Sequence, residues 1–427
     1  MAGAPRPAPP VPRFDTTLEQ ILFPAVAPPA TDLRTAALPP VLRPRANLGV
    51  LDITEFFGET TGGIRTYLLE KARYVEAAPP LRHVLVVPGP SDSVTEATGV
   101  RCYRLRGQPV PTQHPYRFMA GLRANTRIFA HEQPDVIEVG STGIVPWIVN
   151  RASRGLGIPV VCFFHSDFPN IIAPHHKRGM AWTAAREMAY GYLRALDRLF
   201  VTTLVASDFS ASELRRVGVE NTVRVPMGVD LDRFHPRRKA HAAATRRDAK
   251  LPEGPLAAYV GRFAREKDLH VLIDAWSIVA RETDATLLMI GDGPLKAELR
   301  ARARSKRILW LPFEQDRDKL ADLVAALDFY IAPGPVETFG LAAVEALATG
   351  IPVLSCDRGA VAEHVERSGA GRLFVTGSAP SLAEEVATML RQDLAALGAK
   401  GREHAEREHS WTGTFDRLFQ VYGEIAK

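Results

Sequence analysis

The chain is poor in cysteine: Cys102, Cys162 and Cys356 are the only three in 427 residues, and they form no CxxC pair. A disulfide framework and a thiolate zinc site are therefore excluded as organising elements. Long apolar runs are missing too. No window supplies the roughly 18 to 20 uninterrupted apolar residues of a membrane span, and the N-terminus lacks the charged-then-apolar order of a secretory signal. The expectation is a soluble, cytoplasmic protein. Neither the GxGxxG dinucleotide fingerprint nor a GxxxxGK[ST] phosphate loop occurs, so those two routes to nucleotide binding are closed. Long Lys/Arg runs are also absent, and 53 basic against 48 acidic residues leave a net charge of only +5. That balance argues against a nucleic-acid partner and is compatible with phosphates or an anionic membrane surface.

What is present is an ordinary globular composition, 46% hydrophobic, 24% charged and 8% aromatic. Single cores stop growing near roughly 250 to 300 residues, so this length predicts two domains. Residues 1 to 45 are Pro/Ala-rich and read as a mostly disordered, polyproline-prone tail, with TTLEQILF (16 to 23) as a short helical piece that could dock. Short apolar strands then alternate with amphipathic helices. In the first half the strands are 47 to 53, 83 to 89, 135 to 141, 159 to 166, 198 to 207 and 222 to 226, with helices over 64 to 75 and 116 to 132. After a polar, basic stretch at 228 to 254, which reads as an interdomain link, a second series follows at 256 to 262, 285 to 293, 308 to 313, 328 to 334, 351 to 357 and 371 to 375. Strands and helices at this spacing predict α/β architecture with parallel sheets covered on both faces. Domain limits of 46 to 235 and 236 to 410 follow. Ligands of such sheets lie beyond the strand C-termini, so the cleft between the domains is the expected site.

The chemistry gathers at predicted strand ends. In PVETFGLAAVEALATG, Glu337 and Glu345 lie eight residues apart, one in the loop and one inside a helix opening near Gly340. Free amides at such a helix start bind anions, and Gly340 permits close approach. A carboxylate there suits neutral sugar hydroxyls; its structural reading is a helix-start acid favoured by the helix dipole. In YVGRFAREKDLHVLIDAW, Arg262 and Lys267 follow a strand and precede a helix, which suits a diphosphate or, alternatively, a solvated basic loop. Gly62 and Gly63 open a helix after a long loop, and His165 ends the strand PVVCFF. His175 and His176 lack metal-ligand spacing, so no metal site is expected.

GGIRTYL, FFHSDFP, GRFAREKDLHVLIDAW, MIGDGPLKAELR and the Glu337/Glu345 pair together resemble the retaining glycosyltransferases of the GT-B fold, family 4, over residues 46 to 427. HSDFP and PMGVDLDRFHP are similar to bacterial α-mannosyltransferases. The resemblance implies two Rossmann-like domains facing a cleft, the first (46 to 235) on the acceptor side and the second (236 to 410) binding the nucleotide sugar, with 411 to 427 as a terminal helix crossing back to the first, and transfer of a hexose from a nucleoside-diphosphate sugar to a glycan or glycolipid hydroxyl. GDP-mannose is the first choice of donor and a UDP-sugar the alternative; neither cofactor nor metal is implied. By position it assigns Arg262 and Lys267 to the donor diphosphate, assisted by Gly62, Gly63, Phe339, Gly340 and Leu341. It assigns Glu345 to the ribose, Glu337 and His165 to the transferred sugar, and Phe313 to the neighbourhood of the base. Asp230 and Asp232 spell DLD but fall in the linker and read as structural. The basic and aromatic segment 171 to 196 reads either as a contact for anionic lipid or as an ordinary amphipathic helix. A nucleotide-sugar epimerase and a non-catalytic sugar-nucleotide sensor are the rival classes.

Overall fold

Parallel strands need crossover connections, and the sequence supplies a helix after nearly every strand. The computed structural model describes residues 15–24, 28–42, 48–58, 62–78, 80–110, 116–119, 121–167, 169–170 and 179–427. Among them, β1 (Leu48–Ile53), β2 (Leu81–Gly89), β3 (Ser93–Ala97), β4 (Val100–Arg106), β5 (Val136–Val139), β6 (Val160–Phe163), β7 (Thr203–Val205) and β8 (Thr222–Arg224) form one sheet. Its order is β3-β4-β2-β1-β5-β6-β7-β8. A second sheet, β11-β10-β9-β12-β13-β14, is built from β9 (Leu256–Val260), β10 (Thr286–Ile290), β11 (Ile308–Leu311), β12 (Phe329–Ala332), β13 (Val353–Cys356) and β14 (Gly371–Phe374). Every pairing is parallel except β3 with β4.

Strands β5 and β6, VIEV and VVCF, are buried at all positions because helices cover both faces. The helix Leu269–Glu282 shows the matching helical logic: it buries Leu269, Leu272, Ile273, Trp276 and Val279 at three- and four-residue spacing. In each sheet the strand order reverses at one place, between β1 and β5 in the first and between β9 and β12 in the second. These are the topological switch points at which a crevice opens beyond the strand ends.

All twelve strands expected from the sequence are present, most with trimmed ends and β2 starting two residues earlier, at Leu81. The β3–β4 hairpin is an addition, turning at Thr98–Gly99 with Gly99 at φ 77°. Its two strands are short and mixed in polarity, which hides them from a search for apolar runs. The helix expected over 116 to 132 starts only at Leu122; Arg117 instead bridges Pro109 in extended conformation, and Gly121 precedes the first helical turn. The link at 228 to 254 contains a 3₁₀ turn, Pro236–His241, and a short helix, Ala242–Asp248.

Over the described residues 15–24 and 28–42 the tail is packed against the first sheet, which departs from the reading of 1 to 45 as mostly disordered; residues 1–14, 25–27 and 43–45 lie outside the described residues. The helix Asp15–Leu22 buries Leu18 and Leu22, Phe23 stacks on Phe57 at 4.9 Å, and Leu33 is fully buried. The prolines deprive this segment of donors, so its carbonyls are taken by the first sheet and its helices. Arg101 donates to Pro40 O (2.6 Å), Arg127 to Leu33 O and Ala36 O (both 2.8 Å), and Arg104 to Leu22 O (3.0 Å). Composition hid this, because the partners are arginines far along the chain.

Removing residues 1 to 42 should therefore destabilise the protein. Burial of Leu18, Leu22 and Leu33 alone contributes about 1.5 to 3 kcal/mol each. The melting temperature of the truncated chain should fall by several degrees; an unchanged value would return the segment to the status of an idle tail.

Candidate functional site

The C-terminal end of β9 leads into Arg262 and then into the 3₁₀ turn Arg265–Lys267, whose last residue is Lys267. Strand β12 lies beside β9 and ends in the loop that holds Glu337. The two side chains meet across the switch point, Lys267 Nζ to Glu337 Oε1 at 2.6 Å, each about a quarter exposed. Burial disfavours the Lys267 ammonium, but the Glu337 carboxylate outweighs it and holds the pKa above the usual lysine value. Gly334 makes the approach possible, since a Cβ there would lie 3.1 Å from Lys267 Cα. Arg262 is exposed, and its guanidinium sits 5.9 Å over the ring of Tyr116 from the first half of the chain.

Beyond Glu337 the loop is tied down in three directions. Thr338 Oγ1 donates to His165 O (2.8 Å), Ser207 Oγ donates to Thr338 O (2.8 Å), and Ala360 N donates to Glu337 O (2.9 Å). Two of these bonds cross from the second sheet's domain to the first. Gly340, at φ 82°, then starts the helix Leu341–Ala348, and a Cβ on it would come within 2.2 Å of Val361 Cγ2. Only glycine fits both the backbone and the space. Phe339 is buried and its carbonyl accepts from His364 Nε2 at 3.0 Å. His364 belongs to a buried group with His404 and His409 in which one ring nitrogen of each lies within 4.8 Å of the others. His409 Nδ1 donates to Met227 O (3.1 Å) and its Nε2 faces His404 Nε2 at 3.3 Å. These imidazoles connect the Phe339 loop to the interdomain link, where Val229 N also donates to His409 O.

Glu345 is buried within that helix, and Arg317 forms an ion pair with its Oε1. Burial pushes the Glu345 carboxyl up, and Arg317 opposes the shift. Sequence reasoning missed Arg317, which lies 28 positions away on another helix. Phe313 follows β11 and is 40% exposed. Asp230 accepts from Arg233 N and pairs with its guanidinium at 2.8 Å, a local turn in the link.

On the opposite side, His165 lies just beyond β6. Its ring stacks flat on Phe163 at 4.3 Å and meets the edge of Tyr67 at 5.2 Å. Burial pulls its pKa down to about 4, so the imidazole is neutral at pH 7. Gly62, at φ 123°, precedes the helix Gly63–Ala77; both glycines are exposed, and a Cβ on either would meet nothing within 4 Å. His175 and His176 lie outside the described residues. Behind His165 is a buried charged network that sequence reasoning did not find. Lys71 Nζ donates to both oxygens of Asp52 (2.9 Å) and to Tyr422 Oη (2.8 Å), and lies 3.3 Å from Glu138. Tyr67 Oη donates to Glu138 (3.0 Å), and His83 contacts Asp52. The signal was available: Asp52 and Glu138 are lone acids inside the apolar strands LGVLDI and VIEV. Tyr422 arrives on the terminal helix Trp411–Ile425, which stacks Phe419 on Tyr74 (5.5 Å) of the helix Gly63–Ala77.

Two parallel-sheet domains with a cation and acid cluster at one switch point define a nucleotide-binding class of α/β protein. Comparison with known proteins makes this specific. Residues 254–392 match the family described as "Glycosyl transferases group 1", and residues 61–233 match "Glycosyltransferase Family 4". A GDP-mannose-dependent alpha-(1-6)-phosphatidylinositol dimannoside mannosyltransferase of Mycobacterium tuberculosis is 32% identical over 318 residues, covering 74% of this chain and 81% of that protein. A GDP-mannose-dependent alpha-mannosyltransferase of Corynebacterium glutamicum is 24% identical over 397 residues, 90% of each. Among solved structures, sucrose-phosphate synthase from Thermosynechococcus elongatus superposes with a TM-score of 0.71 at 21% identity, over 89% of this chain and 99% of that one. Anabaena HepE, solved with UDP and glucose, gives 0.68 at 18% identity, over 88% and 99%. The chain belongs to the family 4 (group 1) glycosyltransferases, and its fold is GT-B.

Lys71→Met tests the buried network. Stranding Asp52 and Glu138 without their cation should cost about 3 to 5 kcal/mol of stability at pH 8. Burial already pushes Glu138 up to about 7 and Lys71 opposes that shift, so in the variant the Glu138 carboxyl will hold its proton to higher pH still. Relative to its own unfolded state, the variant's native state then binds more protons than the wild type's does, so its deficit should shrink as pH falls from 8 to 5. Denaturant titrations at the two pH values give the sign; a deficit that grows on acidification would contradict this.

Proposed function

We propose that this glycosyltransferase moves a hexose, mannose from GDP-mannose, onto a hydroxyl of a glycan or glycolipid acceptor with retention of anomeric configuration. The observation that carries the reading is the convergence of Arg262, Lys267, Glu337 and the start of the helix Leu341–Ala348 on one switch point. Breaking the anomeric bond puts positive charge on the sugar and negative charge on the departing diphosphate. In this reading Arg262, Lys267 and the amides from Phe339 to Leu341 stabilise that anion, with Gly62 and Gly63 closing over it from the other domain. These cations and amides supply the needed positive field, so the scheme calls on no metal and no cofactor. Glu337, oriented by Lys267, offers its remaining oxygen to hydroxyls of the transferred sugar. His165, neutral at pH 7, lies beside the sugar and the β-phosphate as a hydrogen-bonding group. Glu345 holds ribose hydroxyls with the oxygen that Arg317 leaves free, and Phe313 borders the base. The departing diphosphate takes the acceptor's proton. GDP and mannose are favoured by the relatives named above; the UDP found with HepE makes a UDP-sugar the second reading.

Among the described residues no helix is long and apolar enough to cross a membrane. A peripheral contact fits the helix Met180–Asp197, which exposes Met180 (91%), Met188 (76%) and Trp182 beside exposed Ile144 and Trp147. Its basic neighbours Lys177 and Arg178 lie outside the described residues. Such apolar side chains with flanking cations suit an anionic lipid surface.

Two experiments test these assignments. Lys267→Ala should weaken GDP binding by about 1.5 to 3 kcal/mol, since it removes a charge-assisted contact and leaves Glu337 facing the diphosphate. Glu337→Gln should keep GDP affinity nearly intact and depress sugar transfer; calorimetry and a transfer assay separate the two, and equal losses of both would sink the sugar-facing role. For the membrane, the wild type should co-sediment with phosphatidylglycerol vesicles and not with phosphatidylcholine vesicles. Replacing Met180, Trp182 and Met188 by serine should release it, and indifference to those changes would remove the helix from the contact.

A further inference from the structure

The buried histidines behind Phe339 have no part in the transfer chemistry above. His364 lies on the helix Ala360–Ser368, His404 on the helix Leu394–Glu408, and His409 follows that helix as its cap. They are 2%, 2% and 1% exposed, and one ring nitrogen of each lies within 4.8 Å of the others. Their hydrogen bonds fix which nitrogens are free. A carbonyl only accepts, so His364 carries its proton on Nε2, which donates to Phe339 O (3.0 Å), and His409 carries its own on Nδ1, which donates to Met227 O (3.1 Å). The lone pairs of His364 Nδ1 and His409 Nε2 remain. Metal-ligating imidazoles are built this way: a carbonyl holds the N–H of one nitrogen and thereby aims the other and makes it more basic. His404 adds a third lone pair and one N–H, and its Nδ1 has no hydrogen-bond partner among the described residues. One N–H cannot serve three lone pairs, and buried polar atoms are rarely left unserved.

The spacing also fits an ion. His404 Nε2 and His409 Nε2 are 3.3 Å apart, long for a hydrogen bond. Two imidazoles at Zn–N distances of about 2.0 to 2.1 Å and a tetrahedral angle hold their nitrogens about 3.3 Å apart. The three rings are inclined at 59°, 88° and 72° to one another and none of them stack, so edges rather than faces converge. Burial, joined by the neighbouring rings for His364 and His409, holds all three below the usual histidine pKa, His409 at about 3. The imidazoles are therefore neutral at pH 7, the state that ligation requires. The nearby cations are already paired, Arg224 and Arg367 with Asp208 and Glu363, and Arg407 with Glu408, so their field on the group is offset.

We propose that His364, His404 and His409 form a zinc site, with three imidazoles as protein ligands and water completing the tetrahedron. A set of imidazoles without carboxylates selects zinc over magnesium or calcium. The ion is a clamp and takes no part in sugar transfer, so the proposal does not rest on the transferase reading. It joins three parts of the molecule through the residues its ligands already hold. These are the Phe339 carbonyl just before the helix Leu341–Ala348, the interdomain link at Met227 and Val229, and the root of the terminal helix Trp411–Ile425.

The test uses the full chain without an affinity tag, stripped with EDTA and dialysed. It should take up one zinc ion per chain by atomic emission, and excess zinc should raise its melting temperature by several degrees. Cobalt(II) added alone should give the intense visible absorption of a tetrahedral site. His364→Gln and His404→Gln, which keep a polar side chain in place of the ring, should each weaken zinc binding by about tenfold or more and remove the zinc-dependent rise in melting temperature. A wild-type chain that takes up neither zinc nor cobalt overturns the site without recourse to a variant. Undiminished zinc uptake by both variants overturns it as well, since the metal then lies elsewhere.

Discussion

The ion pair between Lys267 and Glu337 sets the terms for the rest of the second domain. An ammonium and a carboxylate 2.6 Å apart, and 70 residues apart in the chain, require two loops to leave the sheet at the same edge. Only parallel, adjacent strands do this, so β9 and β12 must be neighbours. Their adjacency in turn demands that the intervening strands β10 and β11 pass to the far side of β9. The glycines follow from the same need: Gly334 lets the loop after β12 ride over Lys267, and Gly340 turns that same loop into its helix at a φ no side chain tolerates well.

The two clefts are electrostatic opposites. At the second sheet, charge is present and paired, Lys267 with Glu337 and Arg317 with Glu345. At the first sheet, the wall is polar but unsatisfied, with Glu55, Ser141 and His165 each retaining an unused atom. Between these walls run the bonds from Thr338 to His165 and from Ser207 to Thr338, which make the position of one domain part of the geometry of the other.

Below the first cleft, charge is buried rather than displayed. Lys71, Asp52, Glu138 and Tyr422 satisfy one another in the interior, drawing a residue of the terminal helix into the floor beneath His165. Such a network tolerates little slippage, since a shift of any member strands a charge in low dielectric. The histidines at 364, 404 and 409 do similar work at the other end of the crossing, tying the Phe339 carbonyl to the link between domains.

Much of this was legible from residue order. Apolar runs such as VVCF and TLLMI located the strands, helical spacing located the covers, and their alternation dictated parallel sheets. Arg262, Lys267, Glu337 and Gly340 could be singled out because each sits next to a strand or helix end, and such ends are local features of sequence. The β3–β4 hairpin, Arg317 and the buried network were less accessible: the hairpin's strands lack an apolar run, and the charged groups take their meaning from partners 19 to 351 positions distant. The tail shows the same limit from the other side: its proline-rich composition spoke for disorder, while Arg101 and Arg127 supply the donors that order it. Sequence alone thus determined most of the elements and which of their ends carry glycines and charged side chains, since periodicity and loop position are short-range properties. Tertiary structure alone decided which charges are paired and which polar atoms are left waiting, because burial and hydrogen bonding depend on what folding brings together.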